Sequence, residues 1–413
     1  IGVWGLSAPM GVQGAKPPGL TYVPPMTKIF IIAGEPSGDV LGARLMAAMG
    51  GCVFEGVGGV RMAEAGLVSR FPMSELSVMG LAEILPRVLA LRRRLSETVA
   101  AILASRPDVV VTIDSPGFCL RVLRGLEGAG IRRVHYVAPQ VWAWRQQRVR
   151  KFPGLWEELL CLLPFEPAFF EPFGLNPVFV GHPVLESGAD RGDAARFRAR
   201  HGVLAEEVPV VLMPGSRVTE TVRLLPIFSE TMRLLAAAVP GLRPVVCAAA
   251  GMAAAVASHT AGWGTRAPII VTDVADRYDA FAAAGAALTK SGTSTLELAM
   301  AGVPMAVTYR VNPLSAAIGR RLIKVSHVAM INLLAGSTLV PELLQQDCTP
   351  ARLSAALHIL LTSPAAAAAQ RRGFAPALAS LAAPAGLPSH AAALRVLAGR
   401  HADDAAPDFT FHS

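Results

Sequence analysis

The stretch KIFIIAGEPSGDVLGARL, residues 28–45, sets the reading of the whole chain. An apolar run, Ile29–Ala33, enters the turn Gly34-Glu35-Pro36-Ser37-Gly38, and a helix opens near Asp39. Over Asp39–Met49 the residues Leu41, Leu45 and Met49 fall four apart on one face. Glycines allow a tight turn and close approach of a ligand, and the helix start offers free amides. The glycines at 34, 38 and 42 do not match the spaced dinucleotide fingerprint, and Glu35 would meet a cofactor phosphate badly. The same turn also serves as an ordinary strand-to-helix connection, with Asp39 as a first-turn charge.

Outward from this unit, strands and helices alternate. Further strands are expected at Val109–Ile113, Arg133–Val137 and Leu159–Leu163, and the alternation pauses around Gly181-His182-Pro183. After an Arg/Ala-rich helix, Asp193–His201, a second series begins with Pro209–Met213, Arg243–Ala248, Ile269–Val271 and Ala286–Leu288. This predicts an α/β fold of two Rossmann-like halves with a ligand cleft between them. The expected parts are an unstructured extension 1–25, an N-terminal domain 26–182, a C-terminal domain 183–385 whose last helices are candidates to return to the first, and a frayed tail 386–413. Residues 1–25 are rich in Gly and Pro and lack a basic start followed by an apolar run, so no signal peptide is read; the useful part is expected to begin at Met26.

Composition narrows the classes. Of 413 residues 52% are hydrophobic and 16% charged, which excludes a disordered chain. The five Cys are far apart, as in a reduced, cytosolic protein. The net charge is +8, yet only five of the 38 basic residues are Lys and no aromatic-basic ladder is present, so weak attraction to anionic surfaces is favoured over nucleic-acid binding. The longest uncharged stretch, Pro244–Thr265, is mostly Ala and Gly and reads as strand plus helix, not as a membrane span. His135, His182, His259 and His327 are scattered without metal-ligand spacing, and no metal or other cofactor is expected.

Four strings carry candidate chemistry. Glu35, Ser37 and Gly38 belong to the first turn. In VVVTIDSPGFCL, 109–120, Asp114 ends an apolar strand and points to the crevice of a parallel sheet, as a general base or as a cap of the next turn. In VVLMPGSRVTE, 210–220, Gly215, Ser216 and Arg217 precede a helix beginning near Thr219 or Glu220, a compact anion site or a surface turn. In LTKSGTSTLELAMAGVPM, 288–305, Ser291, Gly292 and Thr293 lead into a helix; Glu297 either takes ribose hydroxyls or forms a capping box with Ser294. A fifth stretch, 72–95, joins an apolar stripe to Arg92-Arg93-Arg94, and Trp142 and Trp144 stand near Arg145; both read as core or as membrane-interface contacts.

In order along residues 26–385, the strings AGEPSGD, GVGGVRM, LSVMGLAEIL, IDSPGF, HYVAPQVWAWRQQRV, LPFEPAFF, FVGHP, MPGSR, SGTSTLELA and INLLAG resemble the lipid-A-disaccharide synthase family. The resemblance implies the GT-B architecture and an inverting, metal-independent glycosyl transfer. The implied donor is UDP-2,3-diacylglucosamine and the implied acceptor 2,3-diacylglucosamine 1-phosphate (lipid X). It implies a cytoplasmic enzyme loosely held at the inner membrane, in a family that includes dimers exchanging C-terminal segments, so a homodimer is among the candidate assemblies. By the same resemblance Asp114 is the favoured general base, with Glu35 as rival; as an acid at a strand end, Asp114 is expected to keep a depressed or near-normal pKa and stay ionised at neutral pH. Arg217 would neutralise the departing UDP, Ser291, Gly292, Thr293 and Glu297 would bind the nucleotide, and Asn332 would line the cleft. Lys290 would help the diphosphate or sit at the surface. The competing readings are a UDP-N-acetylglucosamine 2-epimerase on the same architecture and a non-catalytic nucleotide-sugar module.

Overall fold

The computed structural model describes residues 26–76, 84–215, 217–263, 267–312 and 325–398. Among them, β1 (Lys28–Ala33), β2 (Val53–Val57), β3 (Val109–Ile113), β4 (Arg132–Tyr136), β5 (Glu158–Cys161) and β6 (Pro177–Phe179) form a parallel sheet in the order β2-β1-β3-β4-β5-β6. A second parallel sheet contains β7 (Val208–Met213), β8 (Leu242–Cys247), β9 (Ile269–Val271), β10 (Ala286–Lys290), β11 (Met305–Tyr309) and β12 (Glu342–Leu344). Its order is β12-β11-β10-β7-β8-β9.

In each sheet the strand order reverses once. The chain leaves β1 for β2 on one side and returns to lay β3 on the other; β7 and β10 are related in the same way. The loops leaving the carboxyl ends of the two strands at such a reversal diverge to opposite faces and open a crevice. The four loops that follow β1, β3, β7 and β10 are those of the four strings singled out above.

Central strands are apolar throughout because helices cover both faces. Ile29, Phe30, Ile31, Ile32 and Ala33 are all fully buried. The helix Pro36–Ala48 presents Leu41 and Leu45 to this sheet and ends on buried Met49, the face expected from the four-residue spacing. Four strands carry no clear sequence signal. β2, β6 and β12 are edge strands, half-exposed and therefore without a continuous apolar run, and β6 opens on Pro177. β11 follows so closely on the preceding helix and Pro304 that it reads as part of one motif.

The expected frayed tail is corrected over part of its length. Pro388–Leu397 is a helix whose Ala391, Ala392, Ala393 and Val396 pack into the same cluster as Leu41 and Leu45. A face of small Ala residues approaches closely but has little apolar periodicity to read in advance. Arg132 donates to the Val396 carbonyl at 2.5 Å and to the Arg395 carbonyl at 2.9 Å, placing a cation at the negative helix end. Ser389 bonds Glu186 through both its amide and its hydroxyl. The extension 1–25, residues 77–83 of the apolar stripe and residues 399–413 lie outside the described residues.

Asp39 shows how a motif carboxylate serves the fold. It is 5% exposed and accepts from the amides of Gly59 (2.8 Å), Met62 (3.0 Å) and Arg61 (3.0 Å), closing the start of the helix Val60–Glu64. Replacing Asp39 by Ala leaves three donors unpaired and is expected to cost about 2–3 kcal/mol. The urea midpoint should fall at constant denaturant slope, with Asp39→Asn recovering part of the loss.

Candidate active site

The carboxyl ends of β1 and β3 are adjacent, Ala33 standing opposite Ile113. Beyond them Asp114 and Ser115 both take left-handed backbone, φ 49° and 47°, conformations uncommon outside glycine. This sharp turn starts the helix Pro116–Gly125. The Ser115 side chain is packed on Gly34 so closely that a Cβ there would lie 2.3 Å from Ser115 Oγ. Gly34 therefore admits the close approach of the two loops at the strand-order reversal.

That approach sets the electrostatics. Asp114 is half-buried, whereas Glu35 and Ser37 are exposed and Gly38 is buried at the helix start. Burial raises the Asp114 pKa above the ordinary carboxylate value, and the negative charge of Glu35 raises it further; the Ser115 amide partly offsets both. The expected depressed or near-normal pKa is thus corrected. A carboxylate made more basic by burial and a like charge is a better proton acceptor while keeping access to the crevice.

At the second reversal, Met213 at the end of β7 stands opposite Thr289 of β10. Gly215 has φ +116°, a backbone that favours glycine, and a Cβ there would push the Glu220 carboxylate, 2.6 Å away, out of its place. Ser216 lies outside the described residues. Arg217 is the N-cap residue of the helix Val218–Ala238, with its side chain 66% exposed, and its guanidinium is 3.6 Å from Glu220. The helix begins within two residues of the expected position.

Most polar side chains of the Ser-Gly-Thr motif are held within the domain. The Ser291 hydroxyl donates to the Val328 carbonyl at 2.7 Å. Ser294 pairs with Thr289 at 2.9 Å and makes no capping box, while Glu297 accepts from Tyr278 OH at 3.0 Å and Arg277 at 3.2 Å. Gly292 faces open space and Thr293 is exposed. Asn332, expected to line the cleft, is instead fully buried: it donates to the Val340 carbonyl and Glu342 and accepts from the Leu339 and Val340 amides. Its amide joins the helix Met330–Ala335 to the strand that follows.

Glu220, Arg277 and Tyr278 were not singled out by the sequence reading. Glu220 was legible as the residue one turn past Arg217; Arg277 and Tyr278 meet Glu297 only through tertiary packing. Trp142 is buried and donates to Glu166 at 3.0 Å, while Trp144 is 42% exposed beneath Arg145. Glu166 itself is pushed up to about 7 by burial. Among the described residues no group of three His, Cys, Asp or Glu side chains has the arrangement to hold a metal ion.

The family described as lipid-A-disaccharide synthetase matches residues 29–375. The lipid-A-disaccharide synthase of Granulibacter bethesdensis is 57% identical over 384 residues, covering 89% of this chain and 98% of its own. The chain belongs to the lipid-A-disaccharide synthase family. As a member of the lipid-A-disaccharide synthase family it is a glycosyltransferase of lipid A disaccharide formation. Solved structures show the fold. The UDP-GlcNAc 2-epimerase of Neisseria meningitidis bound to UDP-GlcNAc has a TM-score of 0.59 at 10% identity, covering 86% of this chain and 97% of its own. The calicheamicin glycosyltransferase CalG4 has a TM-score of 0.54 at 18% identity, covering 92% of this chain and all of its own. The architecture is GT-B, two Rossmann-like domains across a cleft.

Because Glu35 is one source of the raised Asp114 pKa, Glu35→Gln should lower it. Carbon-13 titration of the Asp114 carboxyl checks this directly. Activity that needs the ionised Asp114 is lost as pH falls through its pKa, so its acid limb should move to lower pH in the variant; an unmoved limb would assign it to another group.

Proposed function

We propose that the enzyme transfers 2,3-diacylglucosamine from UDP-2,3-diacylglucosamine to the 6-hydroxyl of 2,3-diacylglucosamine 1-phosphate. Asp114 takes the proton of the acceptor hydroxyl as its oxygen bonds to the anomeric carbon. The bond from that carbon to the diphosphate breaks with inversion, giving a β-1,6 linkage and UDP. The observation that carries this reading is Asp114 itself: a carboxylate at the strand-order reversal, on left-handed backbone, with a pKa raised by burial and Glu35. Glu35, exposed beside it, tunes that basicity and stays the rival base. Ser37 and Gly38 border the same crevice on the acceptor side.

Arg217 and the Gly215 turn bind the departing diphosphate, and charge stabilisation there lowers the barrier. Glu297, oriented by Arg277 and Tyr278, receives the ribose, while the Gly292 and Thr293 backbone lies against the nucleotide. The reading needs no divalent metal, since Arg217 supplies the positive charge at the leaving group. With both substrates in detergent micelles and chelator present, the parent should release disaccharide and UDP. Asp114→Asn should be slower by roughly 10²–10⁴-fold, the usual contribution of a general base. A folded parent that binds UDP but makes no disaccharide would sink the synthase reading.

A peripheral seat on the membrane fits the surface of the first domain. No single described helix is long and apolar enough to cross a bilayer. Trp144 is exposed beside Arg145, with Arg148, Arg150 and Lys151 exposed nearby, a pattern suited to anionic headgroups. Trp144→Ser combined with Arg145→Ser should lower cosedimentation with phosphatidylglycerol-containing vesicles several-fold, about 1 kcal/mol per lost cation.

A further inference from the structure

Glu220 stands in the first turn of the helix Val218–Ala238 and reaches between the loops that follow β7 and β10. Its Oε1 is 3.1 Å from Lys290 Nζ and 3.6 Å from Arg217 Nη1. Its Oε2 is buried, under Gly215, with no hydrogen-bond partner among the described residues. Lys290 is the last residue of β10; its side chain is only 20% exposed and its ammonium lies 5.4 Å from the centre of the Tyr309 ring. Two cations, one at the end of β10 and one at the helix start after β7, thus meet on one carboxylate.

A carboxylate in this position is unfavourable on two counts. One oxygen is desolvated without compensation, and its charge opposes any anion entering the crevice. Both costs are offset if the carboxylate's task is to hold the cations together, since Lys290 and Arg217 repel each other without it. We propose that Glu220 is a positioning residue that gathers Lys290 and Arg217 into one clamp, and that Lys290 is thereby a ligand of the donor diphosphate. Lys290 is a compact point charge held by its ion pair and by the Tyr309 ring, whereas Arg217, more exposed, is free to follow the leaving group. The inference rests on the nucleotide site under Proposed function and adds to it the two residues that organise its charge.

The sign of one measurement separates positioning from mere proximity. Taking away a negative charge near a diphosphate strengthens binding if Glu220 is a bystander; it weakens binding if Glu220 holds the clamp. UDP and uridine would be titrated calorimetrically into the parent, Lys290→Met and the near-isosteric Glu220→Gln, with melting temperatures recorded for each. Lys290→Met should weaken UDP by about tenfold, the loss of one charge-assisted contact, and leave uridine unchanged. Glu220→Gln should weaken UDP by roughly three- to tenfold, again with uridine and the melting temperature held. UDP binding equal to the parent's in Lys290→Met, or tighter UDP binding in Glu220→Gln, overturns the proposal while leaving the nucleotide site standing. Equal losses of UDP and uridine, or a large fall in melting temperature, would mark Glu220 as a residue of the fold and overturn its positioning role. A folded parent that binds no UDP overturns the nucleotide reading and this proposal with it.

Discussion

The seat of the Ser115 side chain on Gly34 is the contact on which the geometry of the first domain's crevice depends. Any side chain at 34 would collide with Ser115 Oγ, and the loops after β1 and β3 would separate. Their closeness lets the Glu35 charge reach Asp114, and the burial that follows raises the Asp114 pKa. Left-handed backbone at two consecutive non-glycine residues costs on the order of 1–3 kcal/mol each. The surroundings hold it. The Asp114 amide donates to the Tyr136 carbonyl, the Phe118 and Cys119 amides donate to the Ser115 carbonyl, and Pro116 begins the helix.

The second domain uses its polar side chains differently. Around its strand-order reversal Ser291, Ser294 and Asn332 spend their hydrogen bonds inside the fold, and Glu342 caps the segment before Met330 by accepting from the Val328 and Ala329 amides. This internal pairing ties the loops to the fold and leaves main chain, open space at Gly292, and the cations Arg217 and Lys290 around the strand-order reversal. A surface that already carries cations needs little reorganisation to meet an anion.

The link between the domains also bears on the site. The chain crosses near His182 and Pro183, and the C-terminal helix Pro388–Leu397 packs back on the helix that starts beside Glu35. Arg44 of that helix donates to the Pro183 carbonyl at 2.8 Å, and Glu186 receives Ser389. The helix Pro36–Ala48 is thus tied to the crossing near Pro183 and to the C-terminal helix.

The amino-acid sequence by itself determined the alternation of strand, turn and helix, because short apolar runs, Gly-Pro turns and four-residue spacing are local signals. It also placed Glu35, Asp114, Gly215, Arg217 and Ser291 at strand ends, where the reacting groups of parallel sheets stand, and its motifs identified the family. The ionisation of Asp114, the burial of Asn332, the partners of Glu297 and the docking of the last helix were decided by tertiary structure. Glu297 meets Arg277 twenty residues away in sequence, and Ser389 meets Glu186 across 203. Such pairs follow from which helices and turns become neighbours when the sheets and their covering layers pack. That choice depends on burial summed over the whole sheet, which no local stretch of sequence contains.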